Sequence, residues 1–133
     1  MVIRITVMVL RICGVLALIL GILFWIGIAQ GLVAVHMLLG ILVTLSLWVL
    51  GVAIVMLTRG NIGLGVGAII MGILVVLLGL TQGGLLVGPL QPLHWLVQVL
   101  HLLFGLGAIG LGEAVGGRYK RVQAATVTQA AKS

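Results

Sequence analysis

His36, His94 and His101 stand out in this chain because nearly everything around them is Leu, Ile, Val, Gly or Ala. Two of them open the same phrase. His36-Met37-Leu38-Leu39-Gly40 and His101-Leu102-Leu103-Phe104-Gly105 begin 65 positions apart, at 36 and 101. An imidazole can ligate a metal, shuttle a proton or hydrogen-bond a neighbouring helix. A glycine one helical turn further along leaves room beside the ring, which matters if something bulky lies there. Whether any of this chemistry is open to the pair depends on what the rest of the chain does to position it.

The surroundings are not those of a soluble domain. Of the 133 residues, 63% are hydrophobic and 6% charged, and the mean hydropathy is +1.48. A soluble domain spends about a quarter of its residues on charge. The 47 positions from 12 to 58 and the 53 from 60 to 112 carry none. About 20 residues of helix cross the hydrocarbon core, so each block holds two spans. We expect helices over about 6–28, 32–57, 62–81 and 92–116 in one domain, 1–121, followed by a disordered cytoplasmic tail, 122–133. The predicted breaks are Ala29–Gly31, Thr58–Asn61 and the Gly/Pro-rich stretch from Thr81 to Pro92.

Arg4, Arg59, Arg118, Lys120, Arg121 and Lys132 fall at the N-terminus, in the loop between the second and third helices, or in the tail. An even number of spans puts these places on one side, and the positive-inside rule makes that side cytoplasmic. Trp25 and Trp95 then lie at the outer ends of helices 1 and 4, where an aromatic belt belongs. The expectation is a multi-pass protein of the plasma (inner) membrane. Its net charge of +6 reflects topology and some attraction to anionic lipid, with no nucleic acid as partner.

The histidine phrases extend into a longer match. HMLLGILVTLSLWVLG (36–51) lies on HLLFGLGAIGLGEAVG (101–116) without a gap, GVLALILGIL (14–23) lies on GVGAIIMGIL (65–74), and GIAQGL (27–32) resembles GLTQGGL (79–85). The common order of Gly, Gly, Gln-Gly, His and Gly reads as a duplication. Two helix pairs in sequence form parallel repeats about an axis along the membrane normal. Equivalent residues of helices 2 and 4 then share a depth and face each other, and His36 and His101 are such a pair.

Heptad stripes support this arrangement: Gly14, Ala17, Gly21 and Phe24 on helix 1, and Val33, His36, Gly40, Val43 and Leu47 on helix 2. Helix 3 carries Gly65, Ala68, Gly72, Val75, Gly79 and Gln82, and helix 4 carries Gln91, His94, Gln98, His101, Gly105, Ala108 and Gly112. Such seams pack a left-handed bundle. Two facing histidines at one depth, each with a glycine a turn away, suit axial ligation of a b-type haem, with His36 and His101 as ligands and Gly40 and Gly105 making room. Depth counted from the cytoplasmic charges gives another partner, since His36 lies 23 residues from Arg59 and His94 lies 24 from Arg118. Otherwise His94, Gln91 and Gln98 are placed to hydrogen-bond haem propionates or a quinone head group near the outer surface. Bacteriochlorophyll ligation, and a cofactor-free structural or assembly role through glycine packing, are the competing readings of the same residues.

Arg11 and Glu113 lie toward the cytoplasmic ends of helices 1 and 4. They read as an ion pair that neutralises two costly charges, or, with quinone bound, Glu113 reads as a residue of proton uptake. Cys13 is alone, so no disulfide or thiolate metal site follows. The Gly-x-Gly of GLGVGAIIMG lies within a span and follows no strand, which excludes a dinucleotide fold. No nucleophile–base pair or carboxylate pair marks the chain as an enzyme by itself.

With its four spans and the His-x-x-x-Gly phrases of helices 2 and 4, residues 6–116 resemble the four-helix membrane b-type cytochromes, including one half of the haem A synthase repeat. The resemblance implies histidines on alternate helices ligating haem. The chain lacks an acidic residue next to those histidines, so electron transfer rather than haem hydroxylation is what it implies. It further implies that the chain works as a subunit with other membrane proteins of a respiratory or photosynthetic complex, or as a homo-oligomer.

Overall fold

The computed structural model of the protein describes residues 1–57, 62–82 and 91–130. Arg59, Lys132 and the predicted breaks at 58–61 and 83–90 lie outside the described residues, as does the Gln91 side chain. The described chain is all helical: α1 (Val2–Trp25), α2 (Val33–Leu57), α3 (Ile62–Thr81) and α4 (His94–Ala130). Each is long and apolar enough to cross a membrane. At 1.5 Å per residue the 20 residues of α3 span about 30 Å, the thickness of the hydrocarbon core. A lipid bilayer is the environment these helices fit, as expected of a multi-pass membrane protein.

Local sequence explains the turn between α1 and α2. Gly27 and Ala29 both take left-handed backbone, at φ 82° and 64°, and the single 3₁₀ turn Gln30–Leu32 follows. The end of α1 is closed by Gly27 N–H donating to Phe24 O at 3.0 Å and Ile28 N–H to Leu23 O at 2.8 Å. Gln30 Nε2 reaches back to Phe24 O at 3.1 Å. Those bonds satisfy carbonyls that a helix end leaves without partners, inside a chain that has little water to offer.

The four helices form a ring in chain order, and α2 also meets α4 across the diagonal. Burial follows the heptad stripes. The buried residues of α3 are Gly65, Ala68, Gly72 and Val75, the first four of its stripe. On α4 they are Ala108, Gly112, Val115 and Gly116. The remaining core comes from Val7, Leu10 and Cys13 of α1 and Val43, Leu47, Leu50 and Ile54 of α2. Lipid is as apolar as these side chains, so close contact rather than expulsion from water holds them together. The glycines allow that contact. A Cβ on Gly51 would lie 2.8 Å from the backbone oxygen of Gly65, and one on Gly112 would lie 2.6 Å from Leu10 Cδ1.

One element runs further than the sequence suggested. α4 continues to Ala130, through the segment 122–130 expected to be a disordered tail. That stretch has no proline, and its three Ala and two Gln residues are good helix formers. Thr126 and Thr128 donate their hydroxyls to the carbonyls four residues back, at 3.1 and 3.0 Å, and so satisfy their polar atoms within the helix. Its 37 residues reach about 55 Å, so α4 extends well past the bilayer thickness.

Candidate functional site

The histidines of α2 and α4 meet. The ring centroids of His36 and His101 are 6.2 Å apart with the planes tilted by 59°. Both rings are half-buried, and the Nδ1 atom of each is buried without a hydrogen-bond partner. The diagonal approach of α2 to α4 produces this encounter, because the seam that buries Val43 and Leu47 continues outward through Gly40 to His36. On α4 the seam of Gly112 and Ala108 continues through Gly105 to His101.

Each ring is also seated on a glycine of the preceding helix. A Cβ on Gly21 of α1 would lie 3.5 Å from His36 Cε1, and one on Gly79 of α3 would lie 3.3 Å from His101 Cε1. The two seats are alike, but they are not the pair that the sequence match aligned. That match sets Gly21 beside Gly72, and Gly72 instead packs under the indole of Trp48 and against Thr44. The glycine in Gly21's position relative to a histidine lies one heptad further along α3.

Gly40 and Gly105 behave differently from the glycines of the core. A Cβ at either would meet nothing within 4 Å, so the space one turn from each imidazole is open. Phe24, at the end of α1, meets His36 edge-on, with centroids 5.3 Å apart and an angle of 71°. Phe24, Gly21 and Gly79 are legible in the sequence only as packing positions. Their continuation of the helix 1 and helix 3 stripes was the available signal. Thr44 carries no such signal. Its Oγ1 is buried and unpartnered beside Gly72, and nothing in its sequence context separates it from an ordinary helix threonine.

His94 opens α4 and Gln98 follows one turn later, both half-buried. His94 lies two turns from His101, about 10 Å along the axis. The described residues contain no group of three or more His, Cys, Asp or Glu side chains able to hold a metal ion, so His94 does not join the pair as a third ligand.

These facts restrict what the pair could hold. A bare zinc ion needs four ligands, and two imidazoles cannot supply them. A metal already held in a macrocycle needs only axial ligands. Metal–imidazole bonds of about 2 Å, with ring centres about 1.1 Å behind the donor atoms, separate the centroids of two rings across one metal by about 6 Å. A direct N–H···N bond of about 3 Å would bring them to about 5 Å. The observed 6.2 Å is longer than a direct bond gives and lies within the range of about 4.5–7 Å of ordinary ring contacts.

The other polar feature lies between α1 and α4. Arg11 donates from Nε to Glu113 Oε1 at 2.8 Å and from Nη2 to Oε2 at 2.9 Å. The pair is bidentate, and both side chains are on the outer face of the bundle, 60% and 39% exposed. Each charge is thus neutralised where the surroundings would be lipid, and neither group points toward the histidines. Comparison of the chain with family models, with curated proteins and with solved structures found no match.

Proposed function

We propose that this protein is a membrane b-type cytochrome, in which His36 and His101 would hold one haem b. The observation that carries the reading is the approach of the two rings to 6.2 Å with both Nδ1 atoms buried and unpartnered. A buried polar atom without a partner costs about 1–3 kcal/mol, and both imidazoles would gain one by jointly holding the haem. Haem supplies one-electron redox chemistry. The chain's own contribution is to bind and orient. Gly21 and Gly79 let the rings settle against α1 and α3, Phe24 limits rotation of His36, and Gly40 and Gly105 leave the edge of the site open to a wide, flat ligand.

In this reading the protein is an electron-transfer subunit. His94 and Gln98 lie on the side of His101 away from the core, where propionates or a quinone head group would find hydrogen-bond donors. The paired helices α1–α2 and α3–α4 are parallel repeats, with both termini cytoplasmic in the plasma (inner) membrane. A single haem at one level does not bridge the bilayer, so a partner subunit or a second copy completes the path. Bacteriochlorophyll is the weaker reading, because a pigment taken by one histidine leaves the other ring's Nδ1 without a role.

An absorption spectrum of the purified protein tests the proposal. A Soret band and a sharp α band on reduction with dithionite support it. Far-red bands would replace haem by a chlorin, and the absence of both from protein expressed with ample haem supply would leave a structural or assembly role.

A further inference from the structure

The end of the bundle opposite the histidines carries a furrow between α1 and α4. Two grooves make it up, one of 500 Å³ lined in part by Arg4, Tyr119, Lys120 and Gln123, the other of 280 Å³ lined in part by Arg4, Met8, Arg11 and Lys120. Arg4 and Lys120 line both, so the grooves adjoin. No acidic side chain lines either one. The chain's one acid, Glu113, accepts from Nε and Nη2 of Arg11. The furrow thus offers no acid of its own beside Arg4 and Lys120, although Lys120 also feels the charge of Glu113.

We propose that this furrow is a binding site for an anionic phospholipid, with the phosphodiester seated between Arg4 and Lys120 and an acyl chain lying along α1. Charge complementarity selects the head group, since basic pockets between membrane helices favour anionic lipid. Shape selects a lipid over a free anion. Arg11 lies seven residues beyond Arg4, about 10 Å deeper along α1, so the furrow runs from the water-facing end toward hydrocarbon depth. Ile5 and Met8, which line it, and Ile12 beyond them are 47%, 53% and 52% exposed and share one helix face by their spacing of three and four. A soluble phosphate would use only the mouth of this surface, while a lipid uses all of it. The Tyr119 ring at the mouth suits the interfacial level, where an aromatic body and a polar tip are both satisfied. The site needs no cofactor and does not depend on the role of the histidines.

Native mass spectrometry of the detergent-purified protein, equilibrated with phosphatidylglycerol or phosphatidylcholine, reads the site directly. The protein should retain phosphatidylglycerol in preference. A basic residue near an anionic lipid contributes about a fivefold effect, so Arg4→Gln and Lys120→Gln should each reduce retention by about that factor, and Arg4→Lys should keep it. Arg121→Gln removes the same charge from α4 but lines neither groove, and should leave retention unchanged. Equal retention of the two lipids by the unaltered protein overturns the proposal, whatever the variants do. So does an Arg121→Gln loss as large as that of Lys120→Gln, which would mean diffuse surface attraction. Displacement of phosphatidylglycerol by excess inorganic phosphate would also overturn it, since the site would then recognise a free anion.

Discussion

The two ends of the helical bundle are built from the same few residue types and do opposite things with them. From Val7 to Gly14 on α1, Val43 to Ile54 on α2, Gly65 to Val75 on α3 and Ala108 to Gly116 on α4, the inward residues are buried, with Leu10, Leu47, Ile54, Ala68, Ala108 and Val115 at 0% exposure. From Ala17 outward on α1, and over the facing stretches of the other helices, no described residue reaches that degree of burial. The buried-face glycines show the same contrast, while Gly63, Gly67, Gly110 and Gly117 elsewhere at the first end also meet nothing within 4 Å. Gly14, Gly51, Gly65, Gly72, Gly112 and Gly116 of the first end have neighbours closer than a Cβ would tolerate, while Gly21 and Gly79 only touch a histidine and Gly40 and Gly105 touch nothing. One end is a packed seam. The other is a loosely filled space with two imidazoles in it.

This difference teaches what the glycines are for. A uniform glycine seam would draw all four helices together along their whole length, as small residues do in lipid. Here the approach stops at the level where the histidines begin. A chain that only needed to pack would gain nothing from two ionisable groups at that level, each with a nitrogen left unsatisfied. A chain that holds a ligand between α2 and α4 needs one closed end to fix the helices and one open end to admit the ligand.

The largest expected effect removes the ligands themselves. His36→Ala and His101→Ala should each abolish the low-spin, six-coordinate spectrum of the haem-loaded protein, because one axial ligand is lost in either case. His94→Ala should keep that spectrum and shift only the reduction potential, through a changed hydrogen-bonded surrounding. Loss of the low-spin spectrum in His94→Ala, with retention in His101→Ala, would move the second ligand to His94, still within the open end but two turns further from the closed one.

A smaller but still severe effect is expected at the closed end. Alanine is favoured over glycine within a helix by about 1 kcal/mol, yet Gly51→Ala should destabilise. Its Cβ would press on the backbone oxygen of Gly65 at 2.8 Å and on Ala68 Cβ at 3.2 Å, and a backbone cannot swing aside as a side chain end can. Overpacking of this kind costs about 1–3 kcal/mol. Thermal unfolding in detergent should show a lower midpoint with the ligand spectrum intact until unfolding. An unchanged midpoint would mean that the α2–α3 seam is looser than its geometry indicates.

How much of this could be read from the sequence depends on which force set it. The helices follow from charge spacing and apolar length, and the bounds of α3 agree with the reading to the residue. The inward faces follow from heptad stripes, which is why Gly65, Ala68, Gly72 and Val75 are found where the stripe put them. The nearness of His36 to His101 was legible from their shared phrase and order. What was not legible is register between helices that are not adjacent in the pattern. Low-complexity apolar sequence aligns with itself at several heptad offsets, so Gly72 and Gly79 could not be told apart as seats for a ring. The end of α4 was missed for a different reason, since a polar composition marks departure from lipid but does not by itself end a helix.

The ion pair of Arg11 and Glu113 belongs to the closed end but faces away from its core, and its removal tests whether that end depends on it. Glu113→Leu leaves an unpaired guanidinium beside lipid, while the double change Arg11→Leu, Glu113→Leu leaves none. The double variant should therefore unfold at a higher temperature than the single one. The effect should be milder than that of Gly51→Ala, because a long arginine side chain can reach toward the head groups. If the double variant folds and binds haem but no longer passes electrons to quinone, the pair is not merely structural and Glu113 takes a proton role.

The smallest effect has the opposite sign. At Gly40 and Gly105 a Cβ would meet nothing within 4 Å, so an alanine there gains helix propensity without a clash. Gly40→Ala and Gly105→Ala should each stabilise the cofactor-free protein, by up to about 1 kcal/mol, read as a small rise in its unfolding midpoint. The same substitutions made larger should reverse in the loaded protein. Gly105→Leu would fill the space beside His101 and lower the haem content without touching a ligand, whereas at Gly112 the same leucine would collide with Leu10 and lower stability first. The pair of outcomes separates space kept for a ligand from space left by imperfect packing. If Gly105→Leu stabilises the protein and haem still binds in full, the open end is only loosely packed, and the glycine one turn from each histidine has no part in holding anything.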